Sequence, residues 1–175
     1  MKALKTLVLL VVGLGAVAWL GGWLLPGRWE VSRTVLVAAP PAAVHARIAD
    51  LRAWESWSPF EAQDPQMVFE YGEITAGVDA RRDWTSAVLG DGWMQITAAD
   101  PARGVWYDMG FRGHRPFKGV LLLEAAPEGT RVTWTAAGDA DDRRLFRWTG
   151  PLMDRVLGPA FEQGLAALKA VAEAP

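Results

Sequence analysis

Few side chains in this 175-residue chain have types and spacings that could do chemistry. There is no cysteine, which excludes thiol nucleophiles, thiolate metal sites and disulfides. His45 falls on a helical stretch and His114 in the turn Gly113-His114-Arg115-Pro116. Neither has a carboxylate at ligand spacing, so both read as surface or hairpin residues and no metal is expected. Ser32, Ser56, Ser58 and Ser86 lack a neighbouring base and a nucleophile-elbow motif. Acid–base and charge-pairing chemistry remain. Asp83 and Asp108 interrupt strand-like runs, as does Arg82. By alternation Asp108 opposes Tyr107 and Met109, and faces water if those point inward. Asp83 likewise opposes Arg82 and Trp84. Arg82 then points to the apolar side, unless Arg81 does. A guanidinium there could bind a ligand carboxylate or phosphate; the plainer reading is an edge-strand arginine paired with an acid. Tyr71 and Tyr107, the only tyrosines, could donate a hydrogen bond inside a pocket.

Tryptophan is the compositional excess. Ten are present, and eight of them, at 29, 54, 57, 84, 93, 106, 134 and 148, follow residue 26. Indole rings could line an apolar pocket and stack on a flat or polyunsaturated ligand. Trp54 and Trp57, three apart, are expected mainly to plug the end of a sheet, with Trp57 the better candidate for a pocket rim.

The elements that must position these residues follow from periodicity and punctuation. Trp29 to Ala38 alternates as a half-buried strand, with Arg33 interrupting its apolar face. Ala39-Pro40-Pro41 opens a helix over Ala42–Leu51. Arg52–Trp57 reads as a second short helix ended by Ser58-Pro59. Strands are then expected over Met67–Tyr71, Ala80–Thr85, Trp93–Ala98, Val105–Phe111, Val120–Ala125 and Arg131–Ala136, separated by turn residues. Val132 and Trp134 share one face, as do Val105, Tyr107, Met109 and Phe111. A mixed-charge stretch from Asp139 to Arg147 leads into a helix whose apolar period includes Leu152, Val156, Phe161, Leu165 and Leu168. Gly158-Pro159 should kink or restart it. This order implies an antiparallel meander with one long C-terminal helix, an α+β arrangement. One helix cannot fill the concave face of a strongly curved sheet of six to seven strands, so a cavity is expected between them.

The amino-terminal end is a different object. Of residues 1–26, 18 are hydrophobic and only Lys2 and Lys5 are charged. Thr6 to Leu25 is uncharged and, as a helix, about 30 Å long, enough for a bilayer core. A transmembrane signal-anchor over 1–26 and a domain over 27–175 follow. Lys2 and Lys5 keep the amino end cytoplasmic, which places the domain in the periplasm or outside the cell. A cleaved signal peptide, using Ala16-Val17-Ala18, competes; cleavage there would leave Trp19, Leu20 and Trp23–Leu25 as an exposed apolar terminus. The remaining residues carry 16 basic and 20 acidic side chains. With no phosphate loop, dinucleotide fingerprint or basic aromatic surface, neither a nucleotide cofactor nor nucleic acid is expected.

Several segments carry a family likeness. They are the first strand with Ala39-Pro40-Pro41-Ala42-Ala43-Val44; Asp50-Leu51-Arg52-Ala53-Trp54-Glu55-Ser56-Trp57-Ser58-Pro59-Phe60; Gly129-Thr130-Arg131-Val132-Thr133-Trp134; and Phe161-Glu162-Gln163-Gly164-Leu165-Ala166-Ala167-Leu168-Lys169. Over residues 29–172 the chain resembles the START-like helix-grip superfamily, in its polyketide cyclase/dehydrase (SRPBCC) branch. The resemblance implies a curved antiparallel sheet around a long C-terminal helix and a hydrophobic-ligand cavity, but no catalytic signature. The candidate cavity residues are Trp57, Phe69, Tyr71, Arg82, Trp84, Tyr107, Met109, Trp134 and Phe161. The leading expectation is a membrane-anchored domain that binds a hydrophobic small molecule or lipid without a cofactor. Two alternatives are a cyclase or dehydratase acting through Tyr71, Tyr107, Arg82 or Asp83, and an envelope interaction module whose own tryptophans fill the cavity.

Overall fold

Alternating side chains shape the first element: over Arg28–Val37 (β1), Val31 and Val37 are buried while Arg28, Glu30 and Ser32 are exposed. The computed structural model describes residues 27–139 and 150–174, with four helical positions before them, Gly13, Gly15, Trp19 and Gly21. The expected anchor over 6–25 therefore lies almost wholly outside the described residues, and so does most of the mixed-charge stretch from Asp139 to Arg147. Among the described residues no helix is long and apolar enough to cross a membrane.

Three short helical pieces follow β1: α1 (Pro41–Ile48), a 3-10 turn (Ala53–Ser56) and α2 (Pro59–Gln63). Here the sequence expectation needs correction. Ser58-Pro59 does not end a helix but begins one, because Ser58 is an extended N-cap whose hydroxyl accepts from the Phe60 N–H, and proline suits the first turn. Six strands come next: β2 (Val68–Tyr71), β3 (Arg81–Thr85), β4 (Gly92–Asp100), β5 (Gly104–Phe111), β6 (Phe117–Ala126) and β7 (Gly129–Asp139). All pair antiparallel in one seven-stranded sheet of order β1-β7-β6-β5-β4-β3-β2. Among the described residues, the only pairing between strands distant in sequence is β1 with β7, so the sheet is a meander with a helix-bearing insert after β1.

The chain closes with α3 (Gly150–Glu173), which runs along β1. Gly158-Pro159 does not split this helix: it is continuous with Pro159 inside. The proline removes the N–H that would bond the Arg155 carbonyl, and a side-chain clamp spans the weak point. Arg33 Nε donates to Glu162 Oε1 at 2.7 Å and its Nη1 to Asp154 Oδ1 at 2.8 Å. A Cβ on Gly158 would stand 2.2 Å from Arg33 Nη2, so only glycine lets the guanidinium lie across the helix. The arginine that interrupted the apolar pattern of β1 is thus a helix-docking residue. Farther along, Lys169 Nζ reaches the Leu36 carbonyl at 2.8 Å and Glu173 accepts from the Ala38 N–H at 2.6 Å.

The inner face of the sheet carries the core. Tyr107 on β5 lies opposite Gly119 on β6, and a Cβ on Gly119 would meet the Tyr107 ring at 1.9 Å. The ring therefore lies flat over its neighbouring strand. Overpacking of this kind costs about 1–3 kcal/mol. Gly119→Ala is expected to lower stability by about that amount in urea unfolding, and to cost much less in a Tyr107→Val background, where the clashing ring is gone. Equal costs in both backgrounds would contradict this packing.

Candidate functional site

The space between sheet and α3 holds rings where the sequence suggested a cavity. Trp54 and Trp57 project from the 3-10 turn with centroids 4.4 Å apart. Their indole N–H groups donate to the carbonyls of Ile48 at 2.9 Å and Arg47 at 3.2 Å. Those carbonyls belong to the last turn of α1, where no helical N–H follows to bond them. Trp134 on β7 meets Trp57 edge-on at 5.5 Å and stacks on Phe161 of α3 at 4.2 Å with 4° between the planes. Its Nε1 donates to the Tyr107 hydroxyl at 2.8 Å. Gly164 permits this approach, since a Cβ there would lie 2.8 Å from both Pro59 and Trp134. Of the nine candidate residues, Trp57, Tyr107, Trp134 and Phe161 are packed into this plug. Trp57, expected at a rim, is buried, with its N–H under α1 and an edge bordering a surface groove beside Ser58 and Gln163.

A small pocket remains beside the plug, beneath α2. Phe60 and Glu61 of α2, Met67, Phe69 of β2, Arg82 and Trp84 of β3, Leu89, and Met109 and Phe111 of β5 line it. Its open volume is about 10 Å³, room for about one water. Four of the candidate residues, Phe69, Arg82, Trp84 and Met109, are brought together here. Phe111 shared a face with Met109 in the sequence pattern. Phe60, Glu61, Met67 and Leu89 were not legible as pocket residues. For Glu61 a misleading signal existed: Ser58-x-x-Glu61 is a capping-box spacing, in which the glutamate should bond back to the Ser58 N–H. That N–H instead donates to the Trp54 carbonyl at 2.7 Å, which frees Glu61 to turn inward.

Its partner is Arg82. The guanidinium is 2% exposed and the Glu61 side chain 13% exposed, with Nη1 and Oε1 2.7 Å apart. Arg82 lies against the Phe69 ring at 4.8 Å and the Trp54 ring at 5.4 Å, so aromatic faces offset part of its desolvation. The pairing is incomplete: Arg82 Nε and Glu61 Oε2 are buried without a hydrogen-bond partner. Arg81, by contrast, points outward and grips Asp83 through two hydrogen bonds of 2.9 and 2.7 Å. Asp83 is thereby kept outside the pocket. Asp108, between inward Tyr107 and Met109, is also on the outer face, opposite Lys118.

The pocket's outer wall is tied down locally. Ser86 Oγ donates to Asp64 Oδ2 at 2.6 Å, with both residues buried, and accepts from the N–H groups of Val88 and Leu89 at 3.2 and 2.8 Å. This joins the end of α2 to the loop that carries Leu89. Tyr71, opposite Arg82 on β2, donates to Glu55 and does not line the pocket. His45 on α1 is half-buried, and burial lowers its pKa; His114 lies exposed in the β5–β6 turn. Among the described residues, no three histidine, aspartate or glutamate side chains form a metal-holding group.

Both tyrosines hold their proton unusually well. Burial, then the hydrogen bond to Glu55, pushes Tyr71 up to about 12, and burial raises Tyr107 further. An unfolded tyrosine releases its proton near pH 10. The two rings therefore contribute stability that is intact below that pH and is lost as pH rises through the folded values. In an alkaline titration read by tyrosinate absorbance, neither should ionise near pH 10. Tyr107 should appear only with the loss of near-ultraviolet dichroism, and tyrosinate formation at the ordinary pH would contradict its burial.

Comparison with known proteins agrees with this architecture. Residues 28–173 match the family described as polyketide cyclase/dehydrase and lipid transport. No curated protein matches the sequence. A solution structure from Thermobifida fusca is similar at 24% identity and a TM-score of 0.63, covering 82% of this chain and 92% of that one. A Chromobacterium violaceum protein is similar at 17% identity and a TM-score of 0.60, over 86% and 100% of the two chains. A protein of unknown function from Staphylococcus aureus, 10% identical with a TM-score of 0.64, covers 83% and 94%. At these identities the structures speak for the fold alone. With its seven-stranded antiparallel sheet, long closing helix and match over nearly the whole described domain, the chain belongs to the polyketide cyclase/dehydrase and lipid transport family.

Proposed function

We propose that this protein is a membrane-anchored domain that binds an apolar small molecule or lipid in the pocket between α2 and strands β2, β3 and β5. The observation that carries the reading is the pocket wall: aromatic and thioether side chains around one buried guanidinium, closed outward by a five-residue helix and the Leu89 loop. Such a combination of apolar lining and one fixed cation with its carboxylate partner suits recognition of a mostly hydrophobic ligand. Room for about one water means that binding must move α2 and Leu89 outward. Both are short surface pieces, and the Ser86–Asp64 tie that joins them lets them move as one. Met67 and Met109 can re-pack around differently shaped ligands.

The uncharged stretch from Thr6 to Leu25 supports an anchor in a bacterial inner membrane, and Lys2 and Lys5 support a cytoplasmic amino end. The domain would then stand outside the cytoplasm, with β1 starting directly after Pro26-Gly27. This location keeps the pocket close to a source of apolar molecules. A fluorescent reporter that matures only in the cytoplasm, fused after Pro175, should stay dark; fluorescence would overturn the topology.

A second reading is favoured by the same small volume: an interaction module whose interior is occupied by its own rings. Native mass spectrometry of the detergent-extracted full chain separates the two. A co-purifying apolar molecule, or binding from a lipid and quinone panel after delipidation, is expected for the first reading. No bound mass and no response across the panel would leave the second.

A further inference from the structure

We propose that the ligand carries an anionic head group, a carboxylate, and that Glu61 is the resident carboxylate that it replaces on Arg82. This rests on the reading of the pocket as an apolar binding site and names the chemistry that the site selects. Among the described residues, Arg82 is the only cation lining the pocket. It is fixed there by its place on β3, between the paired strands β2 and β4, and by the rings of Phe69 and Trp54. Glu61 is the movable partner, carried by the five-residue α2 and more exposed than the arginine that it meets.

The pair is also under-used. A guanidinium and a carboxylate can join through two parallel hydrogen bonds, which are stronger and more directional than one. Here a single 2.7 Å contact joins them, while Arg82 Nε and Glu61 Oε2 remain buried and unpaired. A buried charge network satisfied only in part is a poor stabiliser. An incoming carboxylate free of the α2 backbone can orient to engage Nε as well, and Glu61 swings out to water, where its charge is solvated.

Head-group exchange and pocket opening are one movement. Phe60 and Glu61 are neighbours on α2, so the displacement that withdraws the Glu61 carboxylate also withdraws the Phe60 wall. The space freed extends from Arg82 along Phe69, Met109 and Phe111, an apolar surface fit for the ligand's tail. A neutral ligand with the same tail could occupy that surface but would leave Arg82 with Glu61 or with no partner.

The test uses the full chain in amphipol with two probes of equal tail length, dodecanoate and dodecanol, followed by tryptophan fluorescence. The wild-type chain should bind dodecanoate about tenfold or more tightly than dodecanol, in keeping with a charged hydrogen bond of about 1.5–3 kcal/mol. Glu61→Gln should strengthen dodecanoate binding several-fold and leave dodecanol unchanged. Arg82→Met should abolish the preference while still binding dodecanol. The wild-type chain supplies an independent readout that no folding defect can mimic: the Arg82 Nε–H resonance should shift with dodecanoate and not with dodecanol. Equal affinity for the two probes, or weaker dodecanoate binding by folded Glu61→Gln, would overturn the exchange while leaving the apolar site intact. Binding of neither probe by any chain would overturn the site itself and the exchange with it.

Discussion

Close packing beneath the sheet is the constraint from which the remaining structure follows. A seven-stranded antiparallel sheet covered by one long helix leaves more space than aliphatic side chains can fill, and protein interiors are packed to the density of organic crystals. This chain meets the constraint with rings. Trp134 stacks on Phe161 and so sets the distance of α3 from the sheet, while Trp54 and Trp57 close the far side. Each buried indole must also satisfy its N–H. For Trp54 and Trp57 the partners are the terminal carbonyls of α1, which places the 3-10 turn directly beneath that helix. For Trp134 it is the Tyr107 hydroxyl, whose ring needs a glycine opposite on β6. The position of several elements is thus tied to five aromatic side chains.

The buried charge pair stands in a different balance. Desolvating an ion costs several kcal/mol even after relaxation, and a pair with one hydrogen bond and an unpaired atom on each side recovers only part of that. An apolar pair of similar volume would stabilise the domain equally well or better. Stability therefore gives no reason for Arg82 to face inward. The outward neighbour Arg81, gripping Asp83 in a solvated bidentate pair, shows the arrangement that strand β3 adopts where only surface solubility is at stake.

Much of the fold was legible because it depends on local pattern. Strand alternation turned Tyr107, Met109, Val132 and Trp134 inward and set Asp83 opposite Arg82, but left open whether Arg82 or Arg81 faces the apolar side; the structure puts Arg82 there. Two local readings met corrections, one for a local reason and one for a distant one. Ser58-Pro59 looks like a terminator but is equally the start of a helix. At Gly158-Pro159 the helix does not restart, and Arg33 from another element bridges the site. The second could not be seen from the helix alone, since the clamp lies 121 residues away from Asp154.

What the amino-acid sequence by itself determined is the identity of the inward faces, the order of the strands and the presence of more indole surface than an ordinary core requires. The tertiary structure alone decided whether that surface lines a void or fills one, because the answer is a sum of side-chain volumes from elements that never adjoin in the chain. It also decided that Glu61, 21 residues before Arg82, is the carboxylate that enters the core. A capping-box spacing predicts the opposite direction for that side chain. Only the prior claim of the Trp54 carbonyl on the Ser58 N–H releases it to turn toward the buried guanidinium.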